Sequence, residues 1–113
     1  MPMSEIDILT YRLGLPPKKE RLENTLYAMQ EFVGGPIQCV PLDEDLVLVC
    51  DEEARLRNKL PNRFLMFNKS VYDVLCGSFF IARVLGSGNF SCMRDIDIER
   101  FQARNFGLYV RDL

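Results

Sequence analysis

The sequence predicts a single α+β domain: a mainly antiparallel sheet of four to six strands with one or two helices packed on one face. Three observations lead there. Short β-branched or apolar runs recur along the chain, divided by Gly, Pro and Asp clusters. One stretch, Asn24 to Val33, changes to a helical period. The chain of 113 residues suits one domain, the commonest size being about 100–150 residues, so residues 1–113 are read as one unit.

Ile6 to Leu13 is β-branched and partly alternating, which predicts a first strand ended by Gly14-Leu15-Pro16-Pro17, where proline fixes φ and removes a donor. Lys18 to Leu22 returns as a short second strand. Leu26, Met29 and Val33 then fall on one helical face, with Asn24 as the predicted N-cap and Gly34-Gly35-Pro36 as the stop. Ile37–Leu42 and Leu46–Cys50 predict a hairpin across the acidic turn Asp43-Glu44-Asp45. Leu46-Val47-Leu48-Val49 lacks polar alternation and belongs in a central strand covered on both faces. Pro41 pushes its strand to an edge.

Asp51 to Lys59 is charged and read as surface, and Leu60-Pro61-Asn62-Arg63 as a turn or extended linker. Phe64-Leu65-Met66-Phe67 fits a core strand or, if exposed, a patch for a partner. Val71–Leu75 and Phe79–Leu85 are two more strands, with a bend or bulge at Gly77-Ser78. Gly86-Ser87-Gly88-Asn89 is a loop. Asp95 to Asn105 predicts a second helix, its early carboxylates favoured by the positive N-terminal end.

Hydrophobic residues at 48% and charged residues at 27% are ordinary for a globular chain, so a core is expected without metals or disulfides. The net charge of −2 argues against a duplex nucleic-acid binder, which needs Lys and Arg in excess. Lys18, Lys19 and Arg21, and again Arg55, Arg57 and Lys59, read as solvated groups. No window approaches the roughly 18 apolar residues of a membrane span. The acidic start, Met-Pro-Met-Ser-Glu-Ile-Asp, lacks the basic and apolar regions of a signal peptide. A cytoplasmic protein is expected, with Cys39, Cys50, Cys76 and Cys92 as reduced thiols in or near the core.

The sequence contains no histidine, which removes the commonest general base, metal ligand and nucleophile partner. No Cys-x-x-Cys spacing or EF-hand loop is present. Gly86-x-Gly88 lacks the rest of a phosphate loop. Neither a cofactor nor a metal is expected. Asn62-Arg63 is the polar pair of most interest: the guanidinium fork suits a carboxylate or phosphate, and Gly77-Ser78 could add amides and a hydroxyl. The alternative is structural, with Arg63 in an ion pair and Asn62 closing a turn.

Three blocks carry a resemblance: Asn24-Thr25-Leu26 through Met29 to Phe32-Val33-Gly34-Gly35, then Leu60-Pro61-Asn62-Arg63, then Cys76-Gly77-Ser78-Phe79-Phe80. Over roughly residues 21–106 the chain resembles a family of phages and integrative mobile elements, domain of unknown function 3846. The second block is shorter than the family's Leu-Pro-x-Asn-Arg form, and Ala54 stands where the family has glycine. The resemblance carries over no catalytic residues. It implies a context of phages and conjugative elements, which also carry small inhibitors of host defence, anti-CRISPR proteins among them.

The expected function is therefore that of a non-enzymatic accessory protein which binds and inhibits a host defence protein, such as a nuclease. Its candidate contacts are Asn62, Arg63, Gly77, Ser78, Phe64, Phe67 and the acidic turn Asp43, Glu44 and Asp45, whose charge could occupy a nucleic-acid channel of the host protein. Two alternatives stand beside it. One is a binder that sequesters an anionic nucleotide at Arg63, Asn62 and the Gly77-Ser78 amides. The other is a structural protein that self-associates through Phe64 to Phe67.

Overall fold

Strand formation follows the apolar alternation, and the alternation decides which face each side chain takes. The computed structural model describes residues 4–103 and 107–109. Nine strands and two helices are found among them. They are β1 (Glu5–Tyr11), β2 (Lys18–Glu23), α1 (Leu26–Val33), β3 (Ile37–Pro41), β4 (Leu46–Asp51), β5 (Pro61–Phe67), β6 (Ser70–Cys76), β7 (Phe79–Val84), β8 (Phe90–Ser91), α2 (Asp95–Gln102) and β9 (Gly107–Tyr109).

Six strands form the main sheet, in the order β2-β1-β7-β4-β3 with β8 pairing β7, every pairing antiparallel. The other three form a small sheet, β6-β5-β9, in which β9 runs parallel to β5. Odd and even residues of the central strands point to opposite faces. Leu9, Tyr11, Leu46, Leu48, Phe79 and Ile81 meet Ile98 and Phe101 of α2 and Leu65 and Leu75 of the small sheet. Ile6, Ile8, Val49, Phe80 and Ala82 meet Met29 and Val33 of α1. The α+β class is as the sequence predicts, and the core is finer than expected: α1 covers one face of the main sheet and α2 the other, where both had been placed together. Because β4 and β7 are buried on both sides, neither shows polar alternation.

Five local expectations are corrected. The N-cap of α1 is Thr25, whose hydroxyl accepts from the Ala28 amide at 3.1 Å. Asn24 instead reaches across to the Phe90 carbonyl at 3.4 Å. The Leu60–Arg63 linker is largely strand, since β5 begins at Pro61 and pairs with Cys76 there. Asp51, in the segment read as surface, is buried. Cys39 is exposed on β3, while Cys50 is buried and Cys76 and Cys92 are half-buried. Ala103, predicted inside the second helix, is the C-cap of α2, and the rest of that predicted end, residues 104–105, lies outside those described.

The β5–β6 hairpin turns on Asn68 and Lys69, both at positive φ (54° and 67°), the conformation of a two-residue hairpin turn that prefers Gly at its second position. Lys69→Gly is therefore expected to stabilise the fold by about 0.5–1 kcal/mol, read from the urea midpoint at unchanged slope.

Candidate functional site

The three sequence blocks come together in space, and the residues that join them lie beside or within the second. Helix α1 ends where Gly34 adopts φ 78° and its amide bonds the Gln30 carbonyl at 2.8 Å. The Lys59 ammonium then caps the free carbonyls of that end, donating to Val33 O at 2.6 Å and Gly34 O at 3.3 Å. A cation suits the negative C-terminal end of a helix. The same ammonium pairs with Asp51 Oδ2 at 2.7 Å, and Arg57 approaches that oxygen at 3.4 Å.

The glycines of the blocks make room for this pair. A Cβ on Gly35 would lie 2.3 Å from Asp51 Oδ1, and one on Gly77 would lie 2.7 Å from Lys59 Cδ. Burial by itself would raise the pKa of Asp51. The Lys59 hydrogen bond, the Glu53 amide and the charges of Lys59 and Arg57 outweigh burial and hold it below the usual carboxylate value.

Asn62 forms the second junction. Its amide nitrogen donates to Tyr11 O at 2.8 Å and Gly77 O at 2.9 Å, tying β5 to β1 and to the β6–β7 connection. Arg63 Nη1 bonds Asn62 Oδ1 at 2.8 Å and Asn62 O at 3.0 Å, and Nη2 bonds Leu15 O at 3.0 Å. Its guanidinium carbon stands 5.5 Å from the Tyr11 ring centre, and Tyr11 stacks on Phe79. The Gly77 amide donates to Leu60 O at 2.8 Å, and Ser78 Oγ accepts from the Leu13 amide at 3.1 Å. Asn62, Arg63, Gly77 and Ser78 thus lie at one junction, and apart from the Arg63–Asn62 side-chain bond their partners are main-chain groups of the same chain.

The acidic turn lies in a separate network. Asp45 pairs with Arg83 at 2.8 Å and Arg94 at 3.3 Å, and Asp43 with Arg100 at 3.1 Å. Arg94 and Arg100 also hold Asp97 of α2. Much of the turn's charge is therefore compensated within the chain. Glu44 is exposed beside it.

In the Phe64–Phe67 run, Leu65 enters the core, Met66 is half-buried and Phe64 is 48% exposed; the Phe67 side chain lies outside those described. Phe64 borders an open groove of about 480 Å³ whose other walls are Gly14, Leu15, Pro16, Pro61, Asn62, Arg63 and Val74. Leu15, 53% exposed, faces the groove from the β1–β2 loop. Its part was missed in the sequence, where Leu15 was one residue of a Pro-rich turn.

Burial pushes Cys50 up to about 11 and raises Cys39 as well, which disfavours the thiolate at these two positions. Among the described residues no group of three or more Cys, Asp or Glu side chains could hold a metal ion, and no helix is long and apolar enough to cross a membrane.

A model of the family described as a domain of unknown function (DUF3846) matches residues 6–105. No curated protein and no solved structure matches the chain. The match begins in β1, well before the stretch that carries the three blocks. The chain belongs to this family.

Proposed function

We propose that this member of the DUF3846 family works by binding rather than catalysis, as an accessory protein of a phage or other mobile element that occupies and inhibits a host defence protein in the bacterial cytoplasm. The observation that carries the reading is the groove between the Gly14–Pro16 loop and the outer side of β5 and β6. Phe64 and Leu15 stand half-exposed at its rim over a floor made rigid by Asn62 and Arg63. An aromatic anchor beside a fixed polar floor is the composition of a protein-binding hot spot. The acidic turn supports it less, because Asp43 and Asp45 are paired internally. Sequestration of an anionic nucleotide has less support for the same reason: the Asn62 amide, both Arg63 Nη groups and the Gly77 amide already have partners in the chain.

The test is direct binding and inhibition against a panel of purified defence effectors, nucleases included. For the effector that binds, Phe64→Asp is expected to weaken affinity at least about tenfold, or roughly 1.4 kcal/mol, with little change in melting temperature. Absence of binding and inhibition across the panel, together with stabilisation by nucleotides in a thermal-shift assay, would overturn the proposal in favour of sequestration.

A further inference from the structure

The two edges of the main sheet are built differently. In β2, Lys18, Lys19, Glu20, Arg21 and Glu23 make five of six residues charged, the composition that keeps an edge from pairing with another chain. In β3, Ile37-Gln38-Cys39-Val40-Pro41 has no charged residue. Two bonds set the phase of its ladder: the Leu42 amide to Leu46 O at 2.9 Å and the Glu52 amide to Pro36 O at 2.8 Å. With the β3–β4 register, alternation then turns the main-chain groups of Gln38 and Val40 toward β4 and those of Ile37, Cys39 and Pro41 outward. Among the described residues no strand lies beyond β3, and the Cys39 side chain is exposed.

We infer that β3 is an interface for a second copy of this chain, paired antiparallel about a twofold axis at Cys39 so that two main sheets become one. Charge and symmetry select this occupant. Pairing β3 with β2 of another copy would set an uncharged strand against a charged one and leave open edges that propagate into a filament. Pairing β3 with itself is isologous and closes. The two Cys39 residues exchange amide–carbonyl bonds on the axis, and each Ile37 amide donates to the partner's Pro41. Pro41 has no N–H to return, so the ladder ends there. Both Cys39 thiols project on the same side of the joined sheet. The inference is independent of the groove and its partner.

Light scattering after gel filtration over a wide concentration range tests it, together with cross-linking by a short bis-maleimide. A dimer is expected, cross-linked through Cys39 and no longer cross-linked in Cys39→Ser. Cys39→Lys, which places two ammonium groups on the axis, is expected to be a monomer with unchanged circular dichroism. A wild-type monomer at every concentration overturns the inference, as does a Cys39→Lys dimer. Should Cys39→Lys fail to fold, the cross-link decides: mass spectrometry placing it at Cys39 supports the pairing, and its absence there overturns it.

Discussion

Lys59→Ala is expected to destabilise the fold by about 3 kcal/mol, the low end of the range for breaking a buried ion pair from one side. The Asp51 side chain is fully buried, whereas that of Lys59 keeps 23% of its exposure, and Arg57 at 3.4 Å remains to compensate in part. The substitution also uncaps the carbonyls of Val33 and Gly34. Lys59→Met, which keeps the stem, separates lost packing from lost charge. The double variant Asp51→Asn/Lys59→Met should recover most of the loss, because no uncompensated charge is left buried. Urea denaturation measures all three, and a loss below about 0.5 kcal/mol for Lys59→Ala, within the range of ordinary surface changes, would remove the pair from its structural role.

The same pair sets an acid limit. Asp51 has a folded pKa below its ordinary 3.8, so its contribution is fully present above 3.8 and is lost as pH falls through the folded value. The stability gap between wild type and Asp51→Asn/Lys59→Met should therefore move in favour of the variant below pH 3.8. Glu20 follows the same sign. The hydrogen bond from Arg12 draws it down from 4.5 to about 2, against the opposing effect of burial and with help from Thr10 and the charges of Arg12 and Lys18. Its contribution is present above 4.5 and fades toward pH 2, in wild type and variant alike, so the comparison between them isolates Asp51.

What the sequence made legible was set by local period. The unbroken apolar run of β4 announced burial on both faces, and Met29 and Val33 marked the inner side of α1. The Gly34-Gly35 stop was legible for Gly34, whose positive φ is a local requirement, but not for Gly35, whose Cβ would strike a carboxylate sixteen positions later. Asp51 and Lys59 looked like solvated members of a charged run because nothing in their spacing shows that the chain folds back on α1. The side of the main sheet that each helix takes was illegible for a related reason: it depends on which strands become neighbours, and β7 enters between β1 and β4 from far along the chain. At the candidate site, Asn62 and Arg63 could be singled out by residue type. Their partners could not, since these are backbone carbonyls of Tyr11, Leu15 and Gly77, and carbonyls have no sequence signature.

Asn62→Ala follows from that geometry and separates the two roles the pair could have. Removing the side chain leaves the Tyr11 and Gly77 carbonyls without this donor and takes from Arg63 the Oδ1 acceptor at 2.8 Å. Each buried group left unsatisfied costs about 1–3 kcal/mol, so a loss of about 2–3 kcal/mol is expected in total. Asn62→Asp should do at least as much harm, because it turns a carboxylate toward two carbonyl oxygens in place of a donor. Phe64→Ala should change stability by less than about 1 kcal/mol, since its side chain is half in solvent, while weakening the partner complex. The pattern places Asn62 in the scaffold and Phe64 in the contact surface. Were Asn62→Ala to leave the unfolding curve unchanged and abolish binding, the assignment would reverse: the amide would be a ligand group, and its bonds to the two carbonyls a resting arrangement that the partner displaces.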